Sequence, residues 1–260
     1  MIGNQKGGIG KTALTTGLAS AIAEAGGRVL IGDLDPQGNA TAGVAVSIGE
    51  RDPSAYDLMS STTKGIAANC ILSIAWDGVD IIGSDIRLAS IESDGAPELT
   101  WRLDIAFEDV DLSMYDAVLL DSPPSLGALM FSALTAADSV IAVTEPTIDS
   151  VMGVTKLEET VRILKLRQNQ RLVFDKVVIS RRRNTGEHIF REKELREAYG
   201  DLIAKTVIPE LAARQDAHSS RTPIHQFRGG NALALQLAYS DLLAELPIDL
   251  SSKIARGVAR

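Results

Sequence analysis

The sequence predicts a single α/β domain with a doubly wound, mostly parallel β-sheet and helices on both faces. Short apolar runs rich in Val, Ile and Leu alternate along the chain with amphipathic stretches of helical period. Two of these runs end in aspartate, at Asp33 and Asp121, as expected of strands that deliver polar groups to the carboxyl edge of a parallel sheet. We expect the domain to span residues 1–247, followed by a tail at 248–260.

The elements of the first half are predicted from periodicity and from breaking residues. Gly26-Gly27 ends a helix, and Pro36 stops the strand that follows it. Before the first loop there is room for only about two strand residues, so either the first strand is a stub or the true start lies upstream. The predicted helices are 13–25, 53–61 and 86–107 with a break near 95–97, and the predicted strands are 28–34, 79–83 and 115–121.

The second half continues the same alternation. Gly229-Gly230 precedes the last helix, and Pro247 breaks it. Trp76 and Trp101 are interpreted as core or edge residues rather than as part of a cofactor site. The predicted helices are 129–137, 148–166, 187–199 and 231–246, and the predicted strands are 139–144, 173–180 and 205–208, with a loop opening at Pro209.

A glycine-rich loop, Asn4-Gln5-Lys6-Gly7-Gly8-Ile9-Gly10-Lys11-Thr12, precedes the first helix. Its glycines lack the Cβ atoms that would keep backbone N–H groups away from an anion, and the helix adds its positive dipole end. In a P-loop, a lysine placed like Lys11 reaches the β- and γ-phosphates, and a hydroxyl placed like that of Thr12 coordinates Mg²⁺. The alternative, a flexible turn with two solvated lysines, is disfavoured by the helix and by the aspartates that follow.

Three aspartates are expected at the sheet edge that also holds this loop. Asp33 and Asp35 end one strand, and Asp121 ends another. Either segment alone could be a turn or a helix cap. Carboxylates and an anionic nucleotide repel each other, so their proximity is explained if the carboxylates bind a metal ion or orient an attacking water. The residues therefore predict Mg²⁺-dependent nucleotide hydrolysis.

The motif Lys-Gly-Gly-x-Gly-Lys-Thr, preceded by Asn-Gln, resembles the deviant Walker A motif of the ParA/MinD family of P-loop ATPases. The segments Asp33 to Asn39 and Asp121 to Gly127 resemble the motifs that follow it in that family, and the likeness is closest to Soj-like ParA proteins without an N-terminal DNA-reading domain. The resemblance implies an enzyme that hydrolyses ATP to ADP and phosphate, with ATP and Mg²⁺ as cofactors.

The resemblance also implies roles for individual residues. Lys6 would reach across a dimer interface to the partner's phosphates, Lys11 would bind the phosphates in cis, and Asp35 would orient the hydrolytic water. Thr12, Asp33 and Asp121 would serve the metal. The expected nucleotide contacts are Gly7, Gly8, Ile9, Gly10, Lys11, Thr12 and Ala13, with Pro209 and Glu210 beside the adenine.

The formal charge of −8 is unevenly distributed. Residues 1–160 have 8 basic and 23 acidic side chains, whereas residues 161–230 have 15 basic and 8 acidic ones. This distribution predicts a basic face for nucleic acid, unless these residues are only solvated helix faces. Contacts from arginines to phosphates would give salt-sensitive binding to double-stranded DNA without sequence preference. The candidates are Arg181, Arg182, Arg183, Arg214, Arg221 and Arg228.

The expected function is DNA partition, of a plasmid or a chromosome. ATP would drive a sandwich homodimer onto nonspecific DNA, and a ParB-type centromere-binding adaptor would stimulate hydrolysis and release it. The single Cys70 excludes an internal disulfide, and no apolar run would span a membrane, so we expect a cytoplasmic protein. The resemblance implies association with the nucleoid, and the tail at 248–260, with three cations and no aromatic residue, disfavours binding to a membrane surface. The alternatives are a MinD-like membrane-surface ATPase, a relative of the nitrogenase iron protein, and nucleoid-based positioning of a non-DNA cargo.

Overall fold

The computed structural model describes residues 1–94 and 96–250, and it confirms the predicted fold class. Seven strands form one sheet in the order β3-β4-β2-β5-β1-β6-β7, in which only the β3–β4 pair is antiparallel. The strands are β1 (Ile2–Gly3), β2 (Val29–Asp33), β3 (Ile71–Ser73), β4 (Val79–Ile82), β5 (Ala117–Asp121), β6 (Ser139–Thr144) and β7 (Val173–Ile179).

Ten α-helices cover the two faces of the sheet in the described part of the chain. They are α1 (Lys11–Glu24), α2 (Asn39–Gly43), α3 (Ala55–Ser60), α4 (Leu88–Asp94), α5 (Arg102–Phe107), α6 (Ala128–Ala136), α7 (Ser150–Arg167), α8 (Gly186–Tyr199), α9 (Ala212–Ser219) and α10 (Ala232–Leu243). Residues of α1, α2, α9 and α10 belong to one apolar core, and residues of α3 to α8 belong to the other. The sheet is therefore doubly wound.

Alternation along the strands explains why there are two cores. Leu119 and Leu120 are consecutive residues of β5, yet Leu119 packs with α1 and α10 whereas Leu120 packs with α6 and α7. Side chains of a strand point alternately to its two faces, so a fully apolar strand supplies both layers. This burial explains why the strands read as continuous apolar runs.

Strand register brings the acidic residues together. Asp33 of β2 and Asp121 of β5 are Cα partners, and Ile2 of β1 is the partner of Asp121 on the other side. The short β1 lies between β5 and β6, so the loop that follows it starts at the middle of the carboxyl edge. Two strand residues are thus sufficient to anchor this loop.

Three differences from the expected elements are informative. Residues 205–208 do not form a strand, because this segment meets β7 and its extension only through isolated bridges, at Ile203 and Pro209. The loop expected after Pro209 contains helix α9. Part of the predicted helix 86–107 is a 3₁₀ helix at Pro97–Trp101, between α4 and α5. Gly95, which belongs to the predicted break, lies outside the described residues.

The beginning of the expected tail packs onto the domain. Leu250 is buried in the same core as α1 and α10, and Ile248 packs against that core. Residues 251–260 of the tail lie outside the described residues. Within residues 1–94 and 96–250, no helix is both long enough and apolar enough to cross a membrane.

Gly17 gives a stability prediction for this packing. A Cβ atom on Gly17 of α1 would overlap the ring of Tyr239, which is 1% exposed on α10. Gly17→Ala should lower the free energy of unfolding by about 1–3 kcal/mol, measured by urea denaturation. Gly186→Ala is the matched control, since nothing lies within 4 Å of its Cβ position. Equal unfolding free energies for the two variants would contradict the proposed α1–α10 contact.

Candidate functional site

A cavity of about 550 Å³ lies beside the glycine-rich loop at the carboxyl edge of the sheet. This volume falls within the range of small-molecule and cofactor sites. The loop and the start of α1 form one wall, and α2, α9 and α10 contribute others. Its lining includes Gly7, Gly8, Gly10, Lys11, Thr12, Ala13, Asp35, Pro124, Arg181 and Arg214.

The backbone of the loop has the conformation that its glycines allow. Gly8 and Gly10 have φ angles of 74° and 100°, in the left-handed region that side chains disfavour. Gly10 also caps α1, whose first residue is Lys11. The first N–H groups of a helix have no partner within it, so they are available to an anion in the cavity. The geometry is that of a phosphate-binding loop.

Lys11 is held beneath this loop. The residue is only 7% exposed, and its Nζ donates to the carbonyl oxygen of Lys6 at 3.1 Å. Desolvation lowers the pKa of Lys11, and the nearby charges of Asp121 and Asp35 oppose that effect. The lysine is therefore a desolvated positive group directed at the loop, as an anion site requires.

Asp33 and Asp121 are fully buried neighbours whose environments differ. Burial raises the pKa of both carboxyls, and the charge of Asp33 raises that of Asp121 further. The Oδ2 atom of Asp33 accepts hydrogen bonds from the Thr41 amide at 2.8 Å and from its hydroxyl at 2.7 Å, and Oδ1 accepts one from the Asp35 amide at 3.2 Å. Asp33 thus shapes the turn that leads into α2.

Asp121 retains an oxygen without a partner. Its Oδ1 accepts a hydrogen bond from the Thr15 hydroxyl at 3.1 Å, whereas Oδ2 is buried with no hydrogen-bond partner among the described residues. Such an orphaned carboxylate oxygen fits a magnesium ion or a water bound to it. The described residues contain no cluster of three or more His, Cys, Asp or Glu side chains that could hold a metal ion. Phosphate oxygens and water would have to complete the coordination.

Asp35 lies on the turn after β2 and lines the cavity. It is 9% exposed, and its Oδ1 accepts a hydrogen bond from the Gln37 amide at 3.0 Å. The Ser84 hydroxyl donates to the Asp35 carbonyl oxygen at 2.6 Å and fixes the backbone. A carboxylate held rigidly at the cavity wall can orient a water molecule there.

Lys6 is exposed and does not line the cavity. Its Nζ donates to the hydroxyl of Thr147 at 3.3 Å, in the loop before α7. The surface beside this contact is apolar, because Ile148 and Met152 are 72% and 55% exposed. The two lysines of the motif therefore occupy different environments, one inside the loop and one on the surface.

The structure does not bring Pro209 and Glu210 to this cavity. Both line a separate surface depression together with Arg182 and Arg183, because the segment after residue 203 follows the outer edge of β7. The α9 residues Gln215 and His218 line the main cavity instead. The expected adenine contact from Pro209 and Glu210 is thus not supported by the geometry.

The six candidate arginines do not share one environment. Arg181 and Arg214 line the main cavity, so they do not lie wholly on the external surface. Arg182 pairs with Glu192 at 3.3 Å, and Arg183 pairs with Glu145 and Glu210. Arg221 and Arg228 are exposed on the connection between α9 and α10. The other four, Arg182, Arg183, Arg221 and Arg228, do not line the main cavity.

Several lining residues were not predicted from the sequence. They include Thr16 of α1 and Asn39 at the start of α2, and, from more distant segments, Trp76, Gln215, His218 and Tyr239. Trp76 donates from Nε1 to the carbonyl oxygen of Arg221 at 3.0 Å, and Tyr239 donates from its hydroxyl to that of Ala13 at 3.0 Å. No local pattern marks them, although two buried aromatic residues with polar ends are consistent with a structured wall.

Asp121→Asn should stabilise the nucleotide-free protein. The raised pKa means that the folded state binds more protons than the unfolded state, so stability falls as pH rises from about 4, the unfolded pKa of aspartate, through the folded pKa. The amide avoids this loss. At pH 8 we expect the variant to have a higher Tm than wild type, corresponding to a gain of roughly 1–3 kcal/mol in the free energy of unfolding. At pH 5 the difference in Tm should be smaller. The variant should also bind the Mg²⁺-nucleotide complex more weakly.

Asp111→Asn is the control for this experiment, because Asp111 is a surface residue whose pKa is lowered by hydrogen bonds from Ser113. Thermal unfolding at the two pH values provides the measurement. An Asp121→Asn protein with the same Tm difference from wild type at pH 5 and pH 8 would show that Asp121 does not titrate as a buried acid.

Comparison with known proteins is consistent with this site. The family model described as AAA domain matches residues 1–174. The sporulation initiation inhibitor protein Soj of Bacillus subtilis is 34% identical over 228 residues, which cover 86% of this chain and 88% of that protein. The chromosome partitioning protein ParA of Caulobacter vibrioides is 32% identical over 229 residues, which cover 86% of this chain and 84% of that protein.

Two solved structures share the fold. The ATP complex of a point variant of McdA from Cyanothece has a TM-score of 0.82 at 20% identity, covering 95% of each chain. The septum site-determining protein MinD of Pyrococcus horikoshii, complexed with Mg-ADP, has a TM-score of 0.75 at 19% identity, covering 97% of this chain and 96% of that one. At these identities the likeness concerns the fold, and it confirms the predicted P-loop architecture.

Proposed function

The chain belongs to the Soj/ParA family of P-loop ATPases, and from that premise we propose that it is a partition ATPase that hydrolyses ATP to ADP and phosphate. The observation that carries this proposal is the division between the two lysines. Lys11 is buried beneath the phosphate loop, whereas Lys6 is directed outward. One lysine can serve the nucleotide of its own chain while the other remains available to a second chain.

The residues of the cavity supply the chemistry of hydrolysis. The loop amides and Lys11 hold the phosphates, which favours the charge that develops on the transferred group. Thr12 and Asp121 would hold Mg²⁺, which neutralises phosphate charge when bound. Asp35 orients the attacking water. The carboxylate of Asp33 accepts a hydrogen bond from the backbone amide of Asp35 and so positions that residue. Asp33 therefore acts through the turn rather than as a direct ligand.

A homodimer is supported by the apolar surface around Lys6. Ile148 and Met152 are more than half exposed, and Leu126, close to the Pro124 that lines the cavity, is 37% exposed. Exposed apolar residues grouped beside a functional site indicate a surface that another protein covers. When two copies meet through this face, each Lys6 can reach the partner's phosphates. Nucleotide binding and dimer formation are coupled in this way.

Nonspecific DNA would bind through the candidate arginines that do not line the main cavity, which are Arg182, Arg183, Arg221 and Arg228. Two of these arginines are paired with carboxylates, so DNA phosphates would compete with Glu192 and Glu210. Association with the nucleoid would follow from such binding. A ParB-type adaptor would stimulate hydrolysis and end the DNA-bound state. The name of the Caulobacter relative, chromosome partitioning protein ParA, supports a role in partition.

The proposed function is tested by measuring binding to double-stranded DNA of random sequence with Mg-ATP, with Mg-ADP and without nucleotide. Binding that requires ATP supports the cycle. Equal binding in all three conditions, or none in any of them, would reject it. Hydrolysis of ATP measured in parallel distinguishes a failed DNA interaction from an inactive protein.

Replacing Arg182 and Arg183 together by alanine should weaken ATP-dependent DNA binding. Each lost phosphate contact reduces the slope of log K against log salt by about 0.9, so we expect the slope to fall by up to about 2. Fluorescence anisotropy over a range of salt concentrations provides the measurement. Arg171→Ala is the control, because Arg171 is exposed elsewhere and pairs with Asp104 and Asp138. An unchanged slope in the double variant would exclude these two arginines from the interface.

A further inference from the structure

The residues that follow β7, Ser180 and Arg181, pack against the phosphate loop. A Cβ atom on Gly10 would lie 2.7 Å from the Ser180 hydroxyl and 3.7 Å from Cγ of Arg181. Arg181 itself has a φ angle of 53°, a conformation that costs a residue with a side chain free energy. The loop and this turn are thus packed closely, and the backbone of Arg181 is held in a sparsely populated state beside the site.

The side chain of Arg181 points toward the loop. Its Nη1 donates a hydrogen bond to the carbonyl oxygen of Gly8. Its Nε and Nη2 donate to Oε1 of Glu210 at 3.1 and 2.7 Å, and Glu145 lies 3.9 Å from Nη1. The guanidinium is therefore fixed by carboxylates on one side and bonded to the loop backbone on the other.

The contact with Gly8 adds a restraint at one end of the Gly8–Ile9 peptide. The Ile9 side chain is buried in the core, whereas Gly8 has no side chain and nothing lies within 4 Å of its Cβ position. In a planar trans peptide the C=O and the following N–H point in opposite directions. Fixing the carbonyl of Gly8 therefore fixes the direction of the Ile9 N–H, one of the loop amides.

We propose that Arg181 is a positioning residue of the phosphate loop, setting the Gly8–Ile9 peptide through its hydrogen bond to the Gly8 carbonyl, with Glu210 orienting its guanidinium. This inference rests on the proposed nucleotide-binding function and deepens it. It assigns Arg181 to the nucleotide site instead of the DNA surface, and it gives Glu210 an indirect part in that site although Glu210 does not line the cavity.

Arg171 provides a comparison. It is 57% exposed, donates from Nη2 to Asp104 at 3.2 Å and pairs with Asp138 at 2.9 Å, and it does not line the main cavity. Removing Arg171 therefore removes an equal charge without removing the bond to the loop.

The test measures dissociation constants for fluorescent ATP and ADP analogues, together with KM and kcat. Arg181→Ala should weaken the binding of both ATP and ADP by about 10- to 100-fold, as expected for loss of a charged hydrogen bond. Both nucleotides are affected because the loop binds phosphates that they share. KM should rise by a similar factor, with kcat changed by less than about 3-fold. Arg181→Lys should recover part of the affinity, and Glu210→Gln should give a smaller loss than Arg181→Ala.

Arg171→Ala should leave nucleotide affinity within about 2-fold of wild type, because its ion pairs with Asp104 and Asp138 are exposed. Because glycine tolerates the left-handed backbone at this position, Arg181→Gly removes the side chain if the alanine variant does not fold. The inference is overturned if Arg181 variants bind nucleotide like wild type, or if Arg171→Ala causes an equal loss. A wild-type protein that binds neither nucleotide would overturn the proposed function itself, so the two failures are distinguishable.

Discussion

Replacing Asp35 by alanine should reduce ATP hydrolysis by about 10²- to 10⁴-fold, the contribution expected of a side chain that orients and deprotonates water. Asp35 is fixed on the cavity wall by the Ser84 hydrogen bond to its carbonyl oxygen, and its carboxylate accepts a hydrogen bond from the Gln37 amide. The phosphate loop is separate from this turn. We therefore expect the affinity for ATP to remain within a few-fold of wild type.

Steady-state phosphate release and binding of a fluorescent ATP analogue check this expectation. Asp111→Ala is the matched control, since it removes a carboxylate from the surface, and it should hydrolyse ATP normally. An Asp35→Ala protein with wild-type hydrolysis would show that another group orients the water. Loss of ATP binding would instead assign Asp35 to the phosphate or metal site.

Replacing Lys6 by alanine should give a protein that binds ATP but neither dimerises nor binds DNA, with hydrolysis reduced by about 10²- to 10³-fold if the lysine stabilises charge in the partner's site. Lys6 lies outside its own cavity and contacts Thr147 through a single hydrogen bond. Its removal should therefore leave the fold and the phosphate loop of the same chain unchanged.

Lys193→Ala provides the control for Lys6, because Lys193 is 75% exposed on α8 and pairs only with Glu197 among the described residues. Nucleotide affinity, molar mass and DNA binding are measured for both variants. A Lys6→Ala protein that still forms an ATP-dependent dimer and binds DNA would remove the lysine from the coupling between subunits.

The loop and its aspartates could be predicted from the sequence because each occupies a short continuous segment. Glycine spacing defines the loop, and an apolar run ending in Asp33 or Asp121 defines a strand with its carboxylate at one edge. The topology then makes these two residues direct neighbours in the sheet. Local pattern and global fold agree here, so the central part of the site follows from residue order alone.

The remaining walls depend on contacts between distant segments. Trp76 meets Arg221, and Tyr239 meets Ala13, over separations that no local pattern encodes. Residues 205–208 have β-branched residues typical of a strand, but this segment follows β7 only through isolated bridges. As a result α9, rather than Pro209 and Glu210, forms that side of the cavity.

Charge counts located a basic segment but not the direction of its side chains. Arg181, Arg182 and Arg183 are consecutive, yet Arg181 turns toward Gly8 while Arg182 pairs with Glu192. The positive φ angle of Arg181 interrupts the extended backbone after β7, and carboxylates from three other segments pair with these arginines. Net charge along the sequence contains no information about such pairing.

The central claim is that Lys6 links nucleotide state to subunit association. It is tested most directly by the molar mass in solution of Asp35→Ala, which should retain ATP, compared with Asp35→Ala/Lys6→Ala, each measured with Mg-ATP and with Mg-ADP. We predict a dimer only for Asp35→Ala with ATP, and monomers in the other three cases. A double variant that dimerises with ATP, or an Asp35→Ala protein that remains monomeric with ATP bound, would contradict the claim.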